Sequence, residues 1–143
     1  MIPAEYEIRE GADLPRDGVL ALYRDAGWWN PGEREADIPT LLAGSFLVAS
    51  AWCDGALVGM GRVLSDGVSD GYIQDVVVLS QHRGRGVGGA LVAFLRDRCR
   101  ARGLAWIGLI GEPGTKAFYE RLGFRPMAGY IPMLLPPEEE GGR

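Results

Sequence analysis

The sequence predicts an α+β fold: a mixed, mostly antiparallel β-sheet with a central parallel strand pair, flanked by helices as an α/β/α sandwich. Two observations carry this expectation. Phe46 to Cys53 and Ala56 to Leu64 are apolar runs separated by Asp54-Gly55, a dipeptide suited to the positive backbone angles of a tight hairpin turn. Further on, a strand-like apolar run, a glycine-rich turn, an amphipathic helix and a second apolar run follow in order, and two strands joined by such a crossover run parallel.

Tyr6 to Arg9 alternates apolar and polar residues as a short first strand, and turn chemistry from Gly11 to Asp17 ends it. Val19, Leu20, Leu22 and Tyr23 lie at helical spacings up to Gly27, and Thr40 to Ala43 belongs to a second short helix. After the hairpin, Gly67 to Gly71 is a turn, and Tyr72 to Leu79 is a strand whose Val76-Val77-Val78 run implies burial on both faces. Val87, Ala90, Leu91, Phe94, Leu95 and Cys99 form the apolar stripe of a helix ending at Gly103. Leu104 to Ile110 reads as the parallel strand, Lys116 to Leu122 as a short helix closed by Gly123, and Phe124 to Leu135 has room for one hairpin.

A chain of 143 residues, 47% of them hydrophobic, can bury one continuous core, so a single domain over 1–135 is expected, with a disordered acidic tail over 136–143. The net charge of −4, with both signs mixed along the chain, offers no field for nucleic acid. Cys53 and Cys99 are too few for a disulfide framework, no C-x-x-C pair suggests zinc, and no metal site is expected. No apolar run approaches the roughly 20 residues that cross a bilayer. A protein of the reducing cytoplasm, without membrane contact, is the expectation.

Chemistry concentrates in Gln81-His82-Arg83-Gly84-Arg85-Gly86-Val87-Gly88, between a buried strand and an amphipathic helix. The first N–H groups of that helix lack intrahelical acceptors, glycine lets an anion approach the main chain closely, and the helix dipole adds positive charge at the same place. Arg83 and Arg85 can add charged contacts. One reading is a connector that simply turns. A dinucleotide fingerprint is a second, since Gly84, Gly86 and Gly89 satisfy G-x-G-x-x-G, but hairpins precede the motif and too little chain follows it. A P-loop is excluded because no Gly-Lys-Ser/Thr follows.

The third reading is a resemblance. Gln81, Gly84 and Gly86 resemble the Q/R-x-x-G-x-G/A signature of the GNAT N-acetyltransferase superfamily, and Phe118 to Phe124 resembles its F-Y-x-x-x-G-F segment. The order of elements from Tyr6 to Leu135 is similar as well. The resemblance implies acetyl-coenzyme A as cofactor, its pantetheine arm along Val76, Val77 and Val78, and its pyrophosphate on the turn from Gln81 through Arg83, Gly84, Arg85, Gly86, Val87 and Gly88. It also implies that Tyr119 points at the cofactor sulfur, where a phenol can act as general acid; the alternative is an aromatic residue filling core beside Phe118. The main-chain N–H of Val78 is the candidate for the oxyanion.

Asp75 and Glu112 are candidate bases for the incoming ammonium, with a water chain as the alternative. Tyr72 to Val78 is similar to the matching segment of amino-sugar-phosphate acetyltransferases, which usually carry Glu where this chain has Gln74, and Gly59 to Gly89 is similar to members acting on arylalkylamines. Trp28, Trp29 and Tyr130, with Gln74, are the candidate acceptor-binding residues; packing is the other reading of the aromatic ones. Cys53 and Cys99 read as packing residues, and His82 as a loop residue within reach of phosphate. Three functions follow: acetylation of a primary amine on a small molecule in a ternary complex, acetylation of a protein N-terminus or lysine, and a non-catalytic acetyl-coenzyme A sensor. Tyr130 to Leu135 is apolar enough to join two copies in a homodimer, as related folds do.

Overall fold

The computed structural model describes residues 2–138, which form one five-stranded sheet with strand order β1-β2-β3-β4-β5. The strands are β1 (Tyr6–Glu10), β2 (Leu47–Cys53), β3 (Ala56–Leu64), β4 (Asp70–Val78) and β5 (Trp106–Gly108). The helices are α1 (Arg16–Asp25), α2 (Ile38–Ala43), α3 (Val87–Ala101) and α4 (Lys116–Glu120). The first four strands pair antiparallel in succession, and β4 pairs parallel with β5. The expected class is therefore observed.

The hairpin turns where the dipeptide allows it: Asp54 and Gly55 take φ of 49° and 79°, the pair of positive values that matches the twist of the flanking strands. Alternation along the strands then feeds two cores. Leu47, Ala49, Ala51, Val63, Ile73 and Val78 join Val87, Leu91, Leu95 and Cys99 of α3 on one face of the sheet. Val48, Met60 and Val77 join Val19, Leu22 and Tyr23 of α1 and Ile38 and Leu42 of α2 on the other. Leu91, Leu95 and Cys99 are fully buried, and each such aliphatic side chain removed from water contributes about 1.5–3 kcal/mol. Ion pairs from Arg98 and Arg102 to Glu10, at 3.0 and 2.7 Å, fasten the end of α3 to the edge strand β1.

The second helix holds Thr40 to Ala43 as expected and starts at Ile38, led in by a 3-10 turn over Glu35–Asp37 that places Pro39 in its first turn, where a missing N–H costs nothing. Two expectations are corrected. The parallel strand is only Trp106–Gly108, because beyond Gly108 the chain diverges from β4. No hairpin forms over 124–135: the described segment is irregular, and Tyr130, Ile131, Met133, Leu134 and Leu135 are between 74% and 90% exposed. Pro126, Pro132 and Pro136 supply no N–H, so a ladder there would be interrupted repeatedly. Of the acidic tail, 139–143 lie outside the described residues. No helix among those described is long and apolar enough to cross a membrane.

Candidate active site

The site begins where the parallel pair comes apart. β4 and β5 are in register over Asp70–Trp106, Gly71–Ile107 and Tyr72–Gly108; β5 then stops while β4 runs on to Val78. The remainder of β4 has a free edge on that side. A cleft of about 330 Å³ opens there, floored by Tyr72, Ile73, Gln74, Asp75 and Val76 and closed by Leu109, Ile110, Glu112, Thr115, Tyr119 and Trp28.

A bulge shapes the floor. Asp75 adopts φ of 56°, and the register between β3 and β4 shifts between Met60 and Arg62. In an unbroken strand Gln74 and Asp75 would point to opposite faces. Here both meet Arg62, whose Nε donates to Asp75 Oδ2 at 2.7 Å and whose Nη2 donates to Gln74 Oε1 at 3.1 Å. Tyr23 Oη donates to the same Asp75 oxygen at 2.9 Å. Burial and the Asp75 charge push the Tyr23 phenol far above its ordinary value, so it remains a donor.

Tyr119 stands on α4, edge-on to Phe118 with ring centroids 4.9 Å apart and edge-on to Phe124 at 6.0 Å. Those contacts hold its ring at the cleft wall. Burial, reinforced by the Glu112 charge, raises its phenol above the ordinary value near 10, so at neutral pH it carries its proton. Glu112, in the loop after β5, lines the same cleft, and its carboxylate accepts one bond, from Trp28 Nε1 at 3.1 Å. That contact bridges the loop after α1 to the loop before α4, across the mouth of the cleft.

At the far end of β4, Gly84 and Gly86 take φ of 76° and 84°, and Gly86 caps α3 without a side-chain acceptor for the first turn. A Cβ built at Gly84 or Gly89 would meet nothing within 4 Å, so the outer face of the turn is open. One side chain of β1 ties down two residues of the turn. Tyr6 Oη shares a hydrogen bond with His82 Nδ1 at 2.8 Å and accepts one from Arg85 Nη1 at 3.2 Å. Open N–H groups at a helix start and an arginine beside them fit a diphosphate.

The structure brings Tyr119, Asp75, Gln74, Val76 and Trp28 to one cleft. Val77 and Val78 bury their side chains on opposite faces of the sheet, leaving the strand edge for a ligand. Arg83 Nε donates to the Val78 carbonyl at 2.9 Å, and its Nη2 pairs with Asp25 at 3.1 Å. Gln81 lines a separate hollow with Asp17, Arg24 and Asp25 beside α1. Trp29 stacks on Tyr23 at 6.3 Å, and Tyr130 is exposed; neither lines the cleft. Arg62 and Tyr23 were not anticipated. Their signals were a lone charge inside the apolar run of β3 and a hydroxyl on the buried stripe of α1. Among the described residues no group of His, Cys, Asp and Glu is placed to hold a metal ion.

Comparison with known proteins agrees with this geometry. The model of the Acetyltransferase (GNAT) family matches residues 14–124. The chain is 31% identical over 134 residues to a glucosamine 6-phosphate N-acetyltransferase of Trypanosoma brucei brucei, covering 87% of this chain and 91% of that protein. It is 37% identical over 70 residues to the chloroplastic serotonin N-acetyltransferase 2 of Oryza sativa subsp. japonica, but spans 35% of that protein and aligns over 49% of its own length. The crystal structure of a probable acetyltransferase from Staphylococcus aureus superposes with TM-score 0.77 at 21% identity, covering 92% of this chain and all of that one. A GNAT family acetyltransferase from Streptococcus pneumoniae gives 0.77 at 24% identity, covering 94% and 99%. This chain belongs to the GNAT acetyltransferase family and is an acetyl-coenzyme A-dependent acyltransferase.

Proposed function

We propose that the protein acetylates the primary amine of a small molecule, by direct attack within a ternary complex. One observation carries the reading: a proton-bearing phenol, Tyr119, and a carboxylate, Glu112, line one cleft beside the free edge of β4, near enough for the Glu112 charge to act on the phenol. Acetyl-coenzyme A supplies the activated thioester. The edge of β4 from Val76 to Val78 would hold its pantetheine arm, and the turn from Gln81 to Gly88 its pyrophosphate.

Each proton has an assigned place. The ammonium must shed one before its nitrogen can bond to the carbonyl carbon and a second as the amide forms; the departing sulfur must gain one as the C–S bond breaks, and the second nitrogen proton replaces the one that Tyr119 gives. Glu112 is the better acceptor of the two cleft carboxylates. One oxygen of Asp75 already receives Tyr23 and Arg62, whereas the Glu112 carboxylate receives only the Trp28 indole and has more lone pairs free to meet an ammonium. Asp75 then serves to position the bulge. Tyr119 donates to the sulfur, and the N–H of Val78 meets the oxyanion.

The acceptor is small because the cleft lies at the low end of the roughly 300–1,000 Å³ typical of ligand pockets. Release of free coenzyme A measured over a panel of amines, peptides and protein N-termini tests the reading. Turnover confined to peptides would replace it with protein acetylation, and cofactor binding without any turnover would make the protein a sensor. The exposed run Tyr130–Leu135 supports a homodimer joined through it, which sedimentation at micromolar concentration tests.

A further inference from the structure

We propose that Tyr6, a residue of β1 outside the glycine-rich turn, is a positioning residue for cofactor binding. Its hydroxyl fixes the tautomer of His82 and the lie of Arg85, so that both offer N–H groups to the diphosphate. The inference rests on the reading of the turn from Gln81 to Gly88 as the diphosphate site, and adds what holds that site in shape.

The place of one proton decides it. A phenol has one O–H to give and two lone pairs to receive with. The Arg85 guanidinium is a donor only, so the 3.2 Å contact of its Nη1 with Tyr6 Oη occupies a lone pair and leaves the phenolic proton for another partner. His82 Nδ1, at 2.8 Å, is that partner. Were the ring proton on Nδ1 instead, Tyr6 would accept twice, and the O–H of a residue only 6% exposed would be left without an acceptor, which is costly. Nδ1 therefore accepts, and the neutral imidazole carries its proton on Nε2. That nitrogen lies on the side of the ring turned away from Tyr6 and meets no acceptor among the described residues, and the same holds for the Arg85 N–H groups not spent on Tyr6.

The hydroxyl is carried by a rigid support. Tyr6 opens β1 in register with Cys53 of β2, its ring belongs to the core that α3 closes, and it meets the His82 ring edge-on with centroids 5.6 Å apart. The turn itself is less constrained. The N–H groups of Gly84, Arg85 and Gly86 meet no acceptor among the described residues, and both glycines have the left-handed backbone that glycine adopts freely. From the other side Asp25, at the end of α1, receives the Ser80 N–H and the Arg83 guanidinium. Residues 80, 82, 83 and 85 are thus pinned alternately to α1 and β1, with the open main chain held between and beside them. A loop ordered before its ligand arrives loses less freedom on binding.

The test combines spectroscopy and calorimetry on the full chain. His82 is the only histidine of the sequence, so nitrogen–proton correlation spectra at about pH 8, where an ordinary imidazole is neutral, read its tautomer directly. The parent protein is expected to show the Nε2–H form and Tyr6→Phe a mixture of the two forms. Tyr6→Phe, which keeps the ring in the core, is expected to weaken coenzyme A binding about five-fold, the worth of an ordinary hydrogen bond or two. In a background of His82→Ala and Arg85→Ala the same substitution should change the dissociation constant less than about two-fold, because the groups that Tyr6 positions are gone. A residue that merely fills core would cost the same in both backgrounds. An Nδ1–H ring in the parent, a tautomer unmoved by Tyr6→Phe, unchanged or tighter binding in that variant, or an equal loss in both backgrounds overturns the inference and leaves the reading of the turn intact. A parent protein that binds no coenzyme A sinks that reading and this inference together.

Discussion

Arg62 Nε donates to Asp75 Oδ2 at 2.7 Å across the β3–β4 bulge, joining the one charged residue inside β3 to the one residue of β4 with a left-handed backbone. The side chains are 11% and 21% exposed, so little water competes. Asp75→Ala leaves a nearly buried guanidinium with only Gln74 and Ser45 as partners, and the expected loss is about 3 kcal/mol in urea denaturation. Asp75→Asn keeps an acceptor for Tyr23 and tolerates the positive φ, and should lose less. An unchanged midpoint for the alanine variant would mean that solvent screens the pair.

Tyr119→Phe keeps the ring contacts with Phe118 and Phe124 and deletes only the proton donor. Turnover is expected to fall ten-fold or more, about 1.4 kcal/mol in the barrier, with cofactor affinity nearly intact. A turnover number equal to that of the parent enzyme would remove Tyr119 from the proton path.

Gly86→Ala tests the turn. An added Cβ would find Ile2 Cγ2 as its nearest neighbour at 3.8 Å, so no clash arises, and the stability cost is the left-handed backbone alone, about 1–2 kcal/mol. The methyl group and the shifted backbone do disturb the open N–H groups, and the dissociation constant for coenzyme A is expected to rise at least ten-fold by calorimetry. Lost stability with unchanged affinity would make the turn a mere connector.

What the sequence made legible follows local rules. Asp54-Gly55 announced its hairpin because the turn needs two positive φ values, and Val87, Leu91, Leu95 and Cys99 announced α3 because one face of a helix repeats. The bulge at Asp75 was hidden, since its left-handed residue is not glycine and its ion-pair partner, Arg62, lies on the neighbouring strand. Glu112 was one of two candidate bases, and only the packing of Tyr23 and Arg62 on Asp75 separates them. Hydrophobicity misled over 130–135, where apolar residues interrupted by Pro132 stay exposed and form no strand.

Alkaline pH should unfold the protein before any acidic surface pair matters to it. Burial raises the Tyr23 and Tyr119 phenols and the Cys99 thiol in the folded chain. In the unfolded chain these groups ionise near their ordinary values, about 8.5 for cysteine and 10 for tyrosine. The unfolded state therefore binds fewer protons than the folded state above those values, and stability falls as pH rises. The contribution is complete below about pH 8.5, starts to decline there through Cys99 and steepens beyond pH 10, each group adding up to about 1.4 kcal/mol per pH unit. Urea midpoints taken from pH 7 to 11 should trace that curve. Tyr23→Phe, which lacks the ionisable phenol, should flatten the limb above pH 10, and an equal slope in that variant would show that the buried Tyr23–Asp75 contact plays no part in alkaline unfolding.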